Sequence, residues 1–124
     1  MSFFMINTDK ANSDTHEQEM FSRPKASIYG NVTATNEAFF DMKKGDMVFF
    51  YRDNVGVVAY GFIEQDVFEE YNTTPYEYAH PLLNFHILEE PLDYESIVGK
   101  PMGVGACWKR NVSKLGKYVK ENGL

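Results

Sequence analysis

The sequence has one cysteine, Cys107, in 124 residues, so no disulfide can staple the fold and the usual thiolate zinc sites cannot be assembled. No apolar run approaches the roughly 20 residues that a membrane helix requires. The opening Met1-Ser2-Phe3-Phe4-Met5-Ile6 lacks the basic segment and the length of a secretion signal. These absences point to a cytoplasmic protein without a membrane partner, and the sequons at Asn31, Asn72 and Asn111 are then incidental. His16, His80 and His86 stand at no ligand spacing, so neither a metal nor a cofactor is expected. The glycines between Gly99 and Gly105 lack the strand and Gly-Lys-Ser/Thr context of a phosphate loop.

What is present is an ordinary globular composition, 44% hydrophobic and 24% charged, with a surplus of aromatics: 10 Phe, 8 Tyr and 1 Trp. Residues 1–124 read as a single domain, since a chain of this length buries roughly 65% of its unfolded surface around one core. The net charge of −6 hides a segregation. Residues 62–98 carry nine acidic side chains and neither Lys nor Arg, whereas Lys100, Lys109, Arg110, Lys114, Lys117 and Lys120 face only Glu121 in residues 99–124. A polyanion responds to the local field rather than the net charge, so the C-terminal segment is the candidate phosphate surface, although charge runs commonly do no more than solubilise.

Period and turn chemistry give the elements. Phe3 to Ile6 reads as a strand ending in a turn, residues 10–25 as a polar surface segment with a helical turn around Thr15 to Phe21, and Ala26 to Gly30 as a short apolar stretch. Thr33 or Thr35 can cap a helix over Asn36 to Met42, with Gly45 beyond it. Met47 to Tyr51 and Val57 to Ile63, joined by Asp53-Asn54-Val55-Gly56, form an antiparallel hairpin in which Gly61 marks a bend or a close backbone approach. Residues 66–81 read as a long acidic loop, Leu83 to Leu88 as a strand stopped by Pro91, Tyr94 to Val98 as a helical turn and Ser113 to Asn122 as a helix.

Of the residues able to carry chemistry, Cys107 has no evident base and reads as a semi-buried small residue, and no pair of the acids is positioned for catalysis. Phe49, Phe50, Phe62 and Phe85 are core candidates. Tyr29, Tyr71, Tyr76, Tyr78 and Trp108 lie in or beside expected loops, where a ring is exposed unless it closes over a ligand. Loop aromatics beside a basic segment are what base stacking requires, the ring meeting a base and Lys or Arg the phosphate.

Several stretches taken in order, Phe3-Phe4-Met5-Ile6-Asn7-Thr8-Asp9, Ser27-Ile28-Tyr29-Gly30-Asn31, Lys44-Gly45-Asp46-Met47-Val48-Phe49-Phe50-Tyr51 and Val58-Ala59-Tyr60-Gly61-Phe62-Ile63-Glu64, resemble the EVE and YTH branch of the PUA-like superfamily. Leu83 to Leu88 with Pro91-Leu92, and Trp108-Lys109-Arg110-Asn111-Val112-Ser113, are similar to its later strand and its late Arg-containing segment. The resemblance implies an α+β fold, a small curved mixed β-barrel flanked by short helices, that binds nucleic acid and flips a modified base into an aromatic pocket. It implies that Tyr29 takes the place of the stacking aromatic, that Asp9 lies where the base edge is hydrogen-bonded, that Asn36 shapes the pocket and that Arg110 meets a phosphate. Tyr71, Tyr76 and Tyr78 are the alternatives for the second wall, with Tyr78 favoured and Trp108 as a further wall.

The expectation is therefore a non-enzymatic module that reads a modified base, in DNA ahead of RNA, with Lys109, Arg110, Lys114 and Lys117 on the phosphates. It would stand alone or be joined to an effector domain or subunit. Two alternatives stay open: a small amidohydrolase acting on modified nucleosides, similar to ASCH-type members of the superfamily, with Lys25, Thr33 and Glu64 as its residues, and a protein-interaction module whose acidic segment meets a basic partner.

Overall fold

Strands form where β-branched and aromatic residues cluster, and burial on both faces marks those at the centre of the sheet. The computed structural model describes residues 1–8, 14–30, 37–74, 76–102 and 105–124. In chain order these form β1 (Phe3–Asn7), α1 (Asp14–Ser22), β2 (Lys25–Tyr29), α2 (Glu37–Phe40), β3 (Met47–Arg52), β4 (Gly56–Ile63), β5 (Glu69–Tyr71), β6 (Glu77–Leu92), α3 (Tyr94–Val98), β7 (Cys107–Trp108) and α4 (Ser113–Glu121). The strands run in the order β2-β6-β4-β3-β1-β7, with β5 added to β6, as a nearly closed mixed β-barrel. β1 and β3 are parallel; the other pairs are antiparallel. Among the described residues no helix is long and apolar enough to cross a membrane.

Alternation along β1, β3 and β7 divides the core in two. Phe4, Ile6, Val48, Phe50 and Cys107 join Ile28, Ile63 and Leu82 in one cluster, closed over by Met20 of α1 and Phe39 of α2. Met5, Met47, Phe49 and Trp108 point the other way, into a layer shared with Tyr94 and Val98 of α3 and Leu115 and Val119 of α4. What approaches Gly61 closely is a side chain and not a backbone: a Cβ there would stand 3.1 Å from Leu82 Cδ1, so the glycine admits the Leu82 side chain. Gly116 admits Phe3 into the face of α4 in the same way.

The Lys-Gly-Asp turn before β3 has a structural task. The buried Asp46 accepts from the backbone N–H of Ser2 through Oδ1 and of Lys43 through Oδ2, both at 2.8 Å, tying the start of β1 to the turn. Asp46→Ala leaves both donors without this acceptor and is expected to cost about 2 kcal/mol. Urea unfolding should register it as a lower midpoint at unchanged slope, and an unchanged midpoint would remove the tie from the stabilising contacts.

Two expectations are corrected. Residues 66–81 are not one long loop: β5 and the first part of β6 lie within them. β6 also outruns the expected 83–88 strand and passes through two prolines. Pro81 is tolerated because β6 changes partners there, from β2 and β5 over residues 77–81 to β4 beyond. The Leu82 N–H bonds to the Pro24 carbonyl at 2.9 Å, and the Pro81 carbonyl accepts from Glu64 N–H at 3.0 Å, so no ladder bond is left broken. Asn84, in the left-handed region at φ 52°, sits where β6 has one more residue than β4 between the Tyr60–His86 and Phe62–Leu83 pairs, and Pro91 lies in a second register break.

Candidate functional site

Polar residues recur at every second position of β2, so Lys25, Ser27 and Tyr29 share one face and Ala26 and Ile28 the other. Directly opposed residues of antiparallel strands share a face, so Glu77, Ala79 and Pro81 of β6 stand with the polar set, and Glu69 and Tyr71 of β5 extend it. Over this floor, along α1, lies an open cleft of about 880 Å³. Thr15, His16, Glu19 and Ser22 of α1, with Arg23, border it on one side, and Glu64, Thr73 and Thr74 on others.

At its base Glu77 Oε2 accepts from Lys25 Nζ and from Ser27 Oγ, each at 2.7 Å. Lys25 also lies 5.4 Å from the Tyr71 ring centroid, a cation over an aromatic face. The half-buried Tyr29 carries the His16 imidazole on its ring, with centroids 3.8 Å apart and planes within 7°. Burial, with the Glu77 and Glu19 carboxylates, pushes the Tyr29 hydroxyl far above its ordinary range. It remains a donor, and Glu19 accepts from it at 3.4 Å. The lining thus sets Glu19, Glu64, Glu69 and Glu77 against Arg23 and Lys25, an acidic cavity with two aromatic rings.

Of the expected base-pocket residues, Tyr29 stands in the cleft. Tyr78 does not: it opposes Ile28, on the other face of β2 and β6, and packs with Phe40, Phe68 and Tyr76. Tyr71, one of the two less favoured alternatives, holds the cleft position. Trp108 is only 7% exposed, opposes Met5 in β7 and meets Tyr94 edge to face, so it is a core residue and not a pocket wall. Asp9 and Asn36, and Thr33 of the hydrolase alternative, lie outside the described residues.

The basic residues stand apart from the cleft. None of Lys109, Arg110, Lys114 and Lys117 lines it. Lys109 lies 3.5 Å from Asp41, Lys114 Nζ donates to the Val98 carbonyl at 3.2 Å, Lys117 lies 3.9 Å from Glu121 on α4, and Arg110 is exposed. The cleft residues that the sequence did not single out for a ligand include His16, Glu19, Arg23, Glu69 and Glu77. His16 and Arg23, on and after α1, carried no local signal, and Glu77 joins the alternating polar face of β2 only once β2 is paired with β6.

Other reactive groups are inert. Cys107 is buried, and burial with the Asp41 charge pushes its thiol far up, which leaves no thiolate for nucleophilic chemistry. His80 is buried against Phe39 and Phe68; its Nε2 donates to the Phe39 carbonyl at 3.2 Å, and burial lowers its pKa, keeping it neutral. Among the described residues no group of three or more His, Cys, Asp or Glu is placed to hold a metal ion.

No protein-family model matches the chain, and no protein of curated function matches it. Among solved structures it is similar to the NMR structure of Rpa0253 from Rhodopseudomonas palustris, a structural-genomics target, at 13% identity and a TM-score of 0.57 over 99% of this chain and 94% of that one. At that identity the likeness is one of fold, and a nearly closed mixed barrel of this kind is compatible with the PUA-like architecture.

Proposed function

We propose that the protein is a non-enzymatic binding module that seats a modified, flipped-out base of nucleic acid on the ring of Tyr29. The observation that carries this reading is the stack in the cleft: Tyr29, at the end of a strand, already holds a planar heteroaromatic ring at 3.8 Å. The cleft volume lies within the roughly 300–1,000 Å³ typical of small-molecule sites. Its carboxylates suit the N–H donors of a base edge and disfavour phosphate, which assigns the backbone to the separate basic segment around Lys109 and Arg110. Tyr71 serves as the second aromatic. The resemblance to EVE and YTH domains agrees with this division, and it favours modified DNA over RNA through the prokaryotic members that act as specificity domains of restriction systems.

The test is fluorescence-polarisation binding at low salt to matched DNA and RNA oligonucleotides, each with and without methylated or hydroxymethylated adenine and cytosine. Preference for one modified strand supports a reader; equal binding of modified and plain strands rejects it. Arg110→Ala should weaken binding to every strand alike and reduce the slope of log affinity against log salt by about 1. A loss confined to the modified strand would move Arg110 from the backbone to the base.

One observation favours a second reading. Lys25 and Glu64, residues of the hydrolase alternative, both line the cleft, and Lys25 is held by Glu77 beside Ser27. In an amide hydrolysis Glu64 would take a proton from water as its oxygen adds to the amide carbonyl, and the Lys25 ammonium would stabilise the oxyanion. Return of that proton to the leaving nitrogen as the C–N bond breaks yields a carboxylic acid and an amine. Release of acid from an N-acylated nucleoside, lost in Lys25→Met, would establish this activity in place of the reader.

A further inference from the structure

The Tyr29–His16 pair divides two cavities. Both residues line the main cleft and also a second one of about 230 Å³, where they meet Met20, Asn7, Ser27 and Ala106. Parallel planes at 3.8 Å are the geometry a base would adopt on a tyrosine, and the imidazole is itself a flat, nitrogen-bearing ring. We infer that the face of Tyr29 covered by His16 is the seat of the base, so that His16 is a gating residue: a ring that any ligand must displace.

This rests on the reader reading and adds a threshold to it. Displacing the imidazole costs every base the same, so His16 lowers the affinity for all of them by one factor and leaves the preference among them to the rest of the cleft. The helix need not unfold to release His16. Its neighbour Glu17 grips Arg52 with two hydrogen bonds of 2.8 and 2.9 Å, and Met20 and Phe21 sit in or against the barrel core, so α1 stays anchored while the half-buried imidazole rotates into the open cleft.

The experiment titrates wild type, His16→Ala, His16→Ser and His16→Phe with adenosine, N6-methyladenosine, cytidine and 5-methylcytidine, following the Tyr29 ring signals by NMR. Ring removal by Ala or Ser should tighten binding of all four nucleosides by a common factor of about 5 to 20 and leave the ratio between methylated and plain forms unchanged, while Phe, which keeps a ring in place, should bind no tighter than wild type. Weaker binding by both ring-removing variants would make His16 a wall of a sandwich and overturn the inference. Equal affinities with Tyr29 still perturbed would overturn it and leave the reader reading standing; no perturbation of Tyr29 in any of the four proteins would overturn both.

Discussion

Tyr29→Ala should lower affinity for the preferred modified oligonucleotide by roughly 5- to 150-fold, the equivalent of the 1–3 kcal/mol that one base–aromatic stack contributes. Binding of the plain strand should fall far less, because the proposed reading assigns its contacts to Lys109, Arg110 and their neighbours, which do not line the cleft. The preference therefore collapses while residual affinity keeps its salt dependence. Tyr29→Phe separates ring from hydroxyl: it removes the hydroxyl's contacts with Glu19, at 3.4 Å, and with Ser27, and should stay close to wild type. If Phe lost as much as Ala, the hydroxyl would be the reading group and the stack incidental. Thermal unfolding of both variants shows whether any loss reflects folding, since Tyr29 also packs against the barrel core.

Glu77→Ala should be among the most destabilising single changes in the cleft. Glu77 and Lys25 keep only 7% and 17% of their side-chain surface, and one carboxylate oxygen receives both the Lys25 ammonium and the Ser27 hydroxyl. Truncation strands a positive charge in a poorly solvated site and leaves the Ser27 donor without its acceptor. Breaking a buried pair in this way costs about 3–5 kcal/mol, and the residual exposure of Lys25 places the value near the lower bound. Glu77→Gln keeps an oxygen for Ser27 and should lose less. Replacing both charges, Lys25→Met with Glu77→Leu, removes the stranded charge along with its partner and should recover most of the stability. Urea unfolding of the four proteins checks this; a double variant no more stable than Glu77→Ala would mean that the carboxylate acts through Ser27 or the backbone rather than through Lys25.

Much of the barrel was legible because its strands are short, apolar and separated by plain turn chemistry: β1, β3 and β4 fall where Phe3 to Ile6, Met47 to Tyr51 and Val57 to Ile63 place them. β6 was not. Its prolines argue locally against a strand, and only the exchange of partners at Pro81 and the register break near Pro91 make room for them. The site divides in the same way. Tyr29 was legible from its surroundings, whereas the choice between Tyr71 and Tyr78 depends on which face each presents, and that follows from the pairing of Tyr71 with Glu77 and of Tyr78 with Ile28. Trp108 was misplaced because a two-residue strand has no period to detect; what buries the indole is its position opposite Met5.

That last pairing also sets the order in which the chain can fold. β1 lies between β3 and β7, and its partner Trp108 stands roughly a hundred residues further along, so the β1–β7 seam joins segments with a large loop-closure entropy between them. The β3–β4 hairpin closes over three intervening residues and can form early, on the microsecond scale; the β1–β7 seam belongs to the slow, high-contact-order class. Because the sequence has a single tryptophan and the fold places it on that seam, indole emission during refolding follows the docking of β7 on β1 and is silent on the hairpin that precedes it.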